Sequence, residues 1–124
     1  MKLNESEVKY LQERYRDLTN FQSDNPSDPI DPLTYVEPAG DNLLHIASMR
    51  GDSKAVELLL KAGLDVNQRG DMGYTALHYA YWKGAKWPPH MNERDDVIRL
   101  LLEHGASTTV RNEFGKTPRE HSED

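Results

Sequence analysis

No cysteine occurs anywhere in the sequence, which excludes disulfide frameworks and thiolate metal sites. The opening residues Met1-Lys2-Leu3-Asn4-Glu5-Ser6-Glu7 hold no apolar stretch of the kind a secretory leader needs. No later run reaches membrane-spanning length. A cytoplasmic protein is the expectation. Basic charge is in short supply: 15 Lys and Arg stand against 21 Asp and Glu, for a net charge of −6. That balance argues against nucleic acid and anionic membranes as partners, since both require a basic footprint. It favours a basic protein partner, although acidity of this size also serves solubility. Chemistry-bearing motifs are missing as well. No histidine pair has the spacing of a helix-borne zinc site, no glycine-rich phosphate loop is present, and Ser48 and Ser53 lack a G-x-S-x-G context. These absences predict a protein without metal, cofactor or catalytic centre.

What the chain does contain is repetition. Gly73-Tyr74-Thr75-Ala76-Leu77-His78-Tyr79-Ala80 reads as a turn running into the first turn of a helix. Gly73 can take a positive φ, Thr75 is a good N-cap, and Leu77 and Ala80 share one face. Gly40-Asp41-Asn42-Leu43-Leu44-His45-Ile46-Ala47 has the same layout, and His45 and His78 are offset by 33 residues. A third copy begins at Gly115-Lys116-Thr117-Pro118, with proline at the first helical position. Its Arg119-Glu120 stands where the earlier copies have Leu44-His45 and Leu77-His78, so an apolar face has become charged.

The first repeat spans 40–69. A helix from Asn42 to about Arg50 is followed by the turn Gly51-Asp52-Ser53. A second helix runs from Ser53 to Ala62, with Ser53 as its cap and Val56, Leu58, Leu59 and Leu60 as its apolar body. Gly63 ends it, and Leu64 to Asn67 lead into a hairpin finger. The second repeat spans 70–112. Its Leu100-Leu101-Leu102 lies 42 residues after Leu58-Leu59-Leu60, so nine residues have been inserted, aligned at 85–93. The insert carries Trp87 beside Pro88 and Pro89, a rigid amphipathic group. Trp87 either anchors an interface or folds back over its own repeat, and the sequence leaves both open. The third repeat, 113–124, is cut short.

Ahead of the repeats, residues 1–20 read as one amphipathic helix. Asn4 and Glu7 have capping-box spacing, and Val8, Leu11, Tyr15 and Leu18 form a stripe. It is expected to cover the open apolar end of the array. Residues 21–39 hold Pro26, Pro29, Pro32 and Pro38, which block regular helix. This connector is expected to be pinned by Phe21, Ile30, Leu33, Tyr35 and Val36.

The period, the Thr-Ala-Leu-His-Tyr-Ala core and the later leucine blocks ending in glycine resemble the ankyrin repeat family. The resemblance covers about residues 40–118. It implies an all-α solenoid of helix-turn-helix repeats with short β-hairpin fingers and an N-terminal capping helix. It places His45 and His78 at a family position where histidine bonds backbone and tightens a turn, while His104, His90 and His121 fall in a helix end, a loop and the tail. Ankyrin arrays usually bind proteins through finger tips and the exposed side of the first helices. Carried onto this sequence, that implies partner contacts at Asp41, Met49, Arg50, Asp71, Met72, Tyr74, Trp82, Lys83, Glu113, Phe114 and Lys116, with Trp87 as the insert's candidate. The implied activity is binding of one protein partner by a chain that is a monomer when free. Short, acidic, stand-alone arrays of this build are similar to bacterial immunity proteins that neutralise a toxin. An adaptor or regulatory subunit that holds an enzyme without inhibiting it is the alternative.

Overall fold

The computed structural model describes residues 3–82 and 93–122. Six α-helices and one short 3-10 turn (Asp71–Gly73) account for the helical structure of those residues: α1 (Glu5–Arg14), α2 (Leu43–Arg50), α3 (Ser53–Lys61), α4 (Ala76–Tyr81), α5 (Arg94–Glu103) and α6 (Pro118–Ser122). Helices α2, α4 and α6 pack side by side in one layer, with α3 and α5 paired in a second layer beside them. The layers close on a core of Leu43, Leu44, Ala47, Val56, Leu59, Leu77, Val97 and Leu101. This is the all-α solenoid that the repeat pattern implies.

The helix starts repeat because their chemistry repeats. Asn42 accepts from the His45 backbone N–H at 3.0 Å while His45 Nδ1 accepts from the Asn42 N–H at 2.9 Å. Thr75 and His78 make the same reciprocal pair. Thr117 and Glu120 repeat it at the third copy, with a carboxylate replacing the imidazole. Each box satisfies donors that an isolated helix start would leave bare. Gly51 closes α2 in the left-handed region at φ 69°, which suits a residue without Cβ. The cap of α3 is Asp52 rather than Ser53: the Asp52 carboxylate accepts from the Ala55 N–H, and Ser53 is already helical.

The fingers are tighter than hairpins. Glu37 donates its N–H to the Asp41 carbonyl, Gly70 to Tyr74 and Asn112 to Lys116, at 2.9, 2.8 and 2.9 Å. The β-character expected of them shrinks to one isolated bridge, Val36 with Asn42, and no strand forms among the described residues. Each finger is a five-residue turn whose backbone bonds fall inside the turn itself, as Gly40 to Glu37, Gly73 to Gly70 and Gly115 to Asn112 show, which leaves no length for a ladder. The first finger also begins at Glu37, inside the segment expected to be connector.

That segment is ordered by side-chain amides. Its prolines supply no N–H groups, and three of its carbonyls are taken by side-chain amides. Gln12 bonds the Ile30 carbonyl at 2.8 Å, Asn20 that of Pro29 and Gln22 that of Thr34, both at 2.9 Å. Ile30 and Tyr35 are buried and Leu33 partly so, but the Phe21 and Val36 side chains are exposed, and Val36 is held through its backbone bridge to Asn42 instead.

Helix α1 is shorter than its stripe suggests, ending at Arg14. The chain leaves the helix where Arg14 and Tyr15 reach Asp52, and Asp17 reaches Arg50. Leu11 and Tyr15 are fully buried, and Glu7 pairs with Lys61 at 2.7 Å. We read α1 as the cover over the first repeat. Deleting residues 1–20 is expected to lower stability by about 3–5 kcal/mol through the burial of Leu11 and Tyr15 alone. Thermal melting checks this, and a truncated chain that melts with the parent would rule out the covering role.

A groove between the fingers and the first helices

The geometry begins with Asp41. It is buried at the end of the first finger. Its Oδ1 accepts from the backbone N–H of Asp71 at 2.9 Å, and its Oδ2 accepts from the Tyr79 hydroxyl at 2.6 Å. One carboxylate therefore sets the second finger on the first and fixes a tyrosine of α4. Burial, followed by the bond to Asp41, pushes the Tyr79 hydroxyl far above its ordinary pKa, so it remains a donor. Residue 70 has to be glycine for this arrangement. A Cβ there would fall 2.2 Å from Asp41 Oδ1 and 2.9 Å from the His45 ring.

Beyond Gly70 the second finger turns sharply. Met72 sits at its tip with φ 56°, a conformation rare outside glycine, and its side chain is about half exposed. The Met72 carbonyl accepts from the Glu113 N–H at 2.9 Å, linking the second finger to the third. The histidines bind the repeats from below. Nδ1 of His45 is occupied as an acceptor, so its Nε2 carries the proton and donates to the Gln68 carbonyl at 2.7 Å. His78 donates likewise to the Lys116 carbonyl at 2.9 Å. Burial pushes both imidazoles below their ordinary pKa.

These constraints leave a groove of about 380 Å³ lined by Asp41, Met49, Asp71, Met72, Tyr74, Tyr79, Trp82 and Phe114. Phe114 is 61 % exposed, Met72 49 % and Trp82 38 %, so large apolar side chains face solvent around one concavity. Tyr74 meets Tyr79 edge to face at 5.3 Å and stacks on His78 at 5.6 Å.

Among the residues implied as contacts, the groove brings together Met49, Asp71, Met72, Tyr74, Trp82 and Phe114. Asp41 lines it too, but as a buried bracket whose carboxylate is spent on internal bonds. Arg50 does not belong there. It is buried, grips the Asp17 carboxylate with both terminal nitrogens at 3.2 and 2.7 Å, and lies over the Tyr15 ring at 5.1 Å. The Arg50 guanidinium holds the Asp17 carboxyl below the usual carboxylate range. Both residues were expected on the surface, and their charge is instead consumed by partners far away in sequence. Glu113 is exposed and engages the second finger through its backbone, while the half-buried Lys116 gives its carbonyl to Asn112 and His78. Lys83 and Trp87 lie outside the described residues. The insert's last residue, Glu93, is tied to the first repeat by its N–H to the Gly51 carbonyl and by the Ser53 hydroxyl.

One groove residue, Tyr79, and one residue packed behind the groove, His121, were not expected there from the sequence. Tyr79 follows the motif histidine, where the pattern predicts only helix, and its bond to Asp41 spans 38 residues. His121, expected in a tail, is buried in α6. Its ring lies 4.5 Å from that of Tyr74 and 6.4 Å from that of Trp82. The cue was available in the capping pair Thr117 and Glu120, which extends a helix through it.

Known proteins bear the same pattern. The family model for ankyrin repeats, built of three copies, matches residues 4–112, and so takes in α1 and the proline-rich segment. Human protein phosphatase 1 regulatory subunit 27 is 35 % identical over 86 residues, covering 69 % of this chain and 50 % of that protein. An ankyrin and IPT/TIG repeat-containing protein of Schizosaccharomyces pombe is 33 % identical over 96 residues, 77 % of this chain and 8 % of that protein. A putative ankyrin repeat protein of Rickettsia bellii is 36 % identical over 78 residues, 63 % of this chain and 29 % of that protein. The chain thus spans half or less of the length of these relatives. With a family match across most of its length and its helices stacked in repeat register, the chain belongs to the ankyrin repeat family.

Proposed function

We propose that this chain is a non-enzymatic recognition module that binds one protein partner in the groove between its fingers and first helices. Ankyrin repeats are protein–protein interaction modules, and the observation that carries the finer reading is the clustering of Met72, Trp82 and Phe114 around one concavity. Exposed aromatic and methionine side chains on a preformed concave surface are typical anchors, because they release apolar area from water with little loss of side-chain freedom. The acidic balance of the chain supports a basic partner, and the absence of cysteine suits the reducing cytoplasm.

The partner in this reading is an enzyme, held in one of two ways. The short acidic build supports neutralisation of a toxin, as in an immunity protein. The name of the human relative, a phosphatase regulatory subunit, supports tethering or targeting without inhibition. Capture from a lysate of the source cells, with the parent chain and a Trp82→Ala variant side by side, is expected to retain one protein on the parent and lose it on the variant. In calorimetric titration, Trp82→Ala is expected to weaken binding by at least about 2 kcal/mol. Circular dichroism on the same samples establishes that the variant is folded. Loss of the captured enzyme's activity on addition of the chain identifies an inhibitor, and unchanged activity an adaptor. If folded Trp82→Ala, Phe114→Ala and Met72→Ala variants all bind like the parent, the groove is not the interface.

A further inference from the structure

The groove has an uneven charge. No lysine or arginine is among the described residues that line it, whereas Asp41 and Asp71 both do. Glu37 closes the first finger on Asp41 through its backbone N–H, and its carboxyl is pushed above the usual range by burial, then by the Asp41 carboxylate through charge and a shared hydrogen bond, and then by Asp71. Two carboxyl groups, Asp41 and Asp71, therefore line an apolar groove, and a third, Glu37, stands beside Asp41 in the same finger. Their internal compensation is unequal. Asp41 receives an N–H and a hydroxyl. Asp71 uses its backbone N–H in the finger, and no basic side chain among the described residues pairs with its carboxylate. None pairs with Glu37 either. The nearby Arg69 is turned away, donating to the Arg111 carbonyl at 2.7 Å. Elsewhere in the molecule a comparably placed carboxylate finds a cation: Asp17 has Arg50, Asp52 has Arg14 and Glu7 has Lys61.

Crowded carboxylates repel one another and are stabilised by an incoming positive charge, the more so in a concave site partly shielded from water. The apolar wall of Met72, Trp82 and Phe114 lies directly beside them. We infer that the groove takes a segment of its partner that carries an aromatic or aliphatic anchor and, within a few residues of it, an arginine or lysine seated against Glu37 and Asp71. The anchor fills the apolar groove, and the cation supplies the missing counter-charge at its lip. The inference rests on the groove reading above and narrows it from a basic protein to a local pairing of side chains.

The test selects binders from a random-peptide phage library on the immobilised chain, then compares them on Trp82→Ala and on a Glu37→Gln/Asp71→Asn variant. The second variant removes charge without changing shape, and melting curves check that each remains folded. Clones that need Trp82 are expected to carry an arginine or lysine close to an apolar residue. A synthetic peptide from such a clone should bind the Glu37→Gln/Asp71→Asn variant about tenfold more weakly than the parent, and the parent more weakly as salt rises. Clones that need Trp82 but show no basic enrichment, or bind the charge-neutral variant unchanged, overturn the inference and leave the groove reading standing. Clones indifferent to Trp82 and to Phe114→Ala overturn both.

Discussion

Replacing Leu77 by alanine is expected to lower unfolding free energy by about 2–5 kcal/mol, the range for leucine truncation in a packed core. Leu77 is 1 % exposed, and its helix α4 packs against α2, α5 and α6. The cavity left behind would therefore sit where both layers of the array meet. A domain of this size has about 5–15 kcal/mol of stability in total, so a large share of the population would unfold under mild denaturant. Leu102→Ala is the matched control. That leucine comes from the equally apolar Leu100-Leu101-Leu102 run but is 42 % exposed, and its truncation is expected to cost less than about 1 kcal/mol. Urea denaturation of both variants checks the pair. Equal losses would mean that the outer layer does not pack as described.

Replacing Asp52 by alanine is expected to cost about 3–5 kcal/mol. Its carboxylate is completely buried and does several things at once. Oδ1 caps α3 through the Ala55 N–H, while Oδ2 accepts from Arg14 Nε at 2.6 Å and from the Tyr15 hydroxyl at 2.7 Å. Alanine would leave a buried tyrosine hydroxyl and a partly buried guanidinium without their acceptor, the costly half of breaking a buried pair. Burial, with the Asp52 carboxylate adding to it, pushes the Tyr15 hydroxyl well above its ordinary pKa, so it cannot relieve the loss by ionising. Tyr15→Phe removes a single bond and is expected to cost about 1 kcal/mol. A double-mutant cycle on Arg14 and Asp52 measures the coupling between α1 and the first repeat directly. Zero coupling would show that α1 is held by apolar contact alone.

These two residues mark a division that runs through the molecule. Leu77 was legible because a buried leucine in a helix announces itself by its neighbours three and four positions away. Asp52 was read as part of a turn, and nothing nearby signals that Arg14 and Tyr15 converge on it from 38 and 37 residues upstream. The same holds for Asp41 and Arg50. Each was expected at the surface because the ankyrin resemblance puts its position on a finger or on the exposed side of a first helix, yet each meets a partner whose approach depends on how the fingers and the first helix dock.

The sequence by itself determined the repeat period, the capping box of Asn4 and Glu7, the helix starts at Asn42, Thr75 and Thr117, the glycine turns and the leucines of the core. All of these rest on interactions within one or two helical turns, where spacing along the chain is nearly spacing in space. Only the tertiary structure decided which charges are spent internally, that Tyr79 and His121 support the groove, and that side-chain amides order the proline-rich segment. Those outcomes depend on contacts between residues many positions apart, such as the Tyr79 hydroxyl on Asp41 and the Gln12 amide on the Ile30 carbonyl. A polar side chain carries no periodic record of its partner, because one well-aligned bond at the right depth satisfies it wherever in the chain that bond comes from.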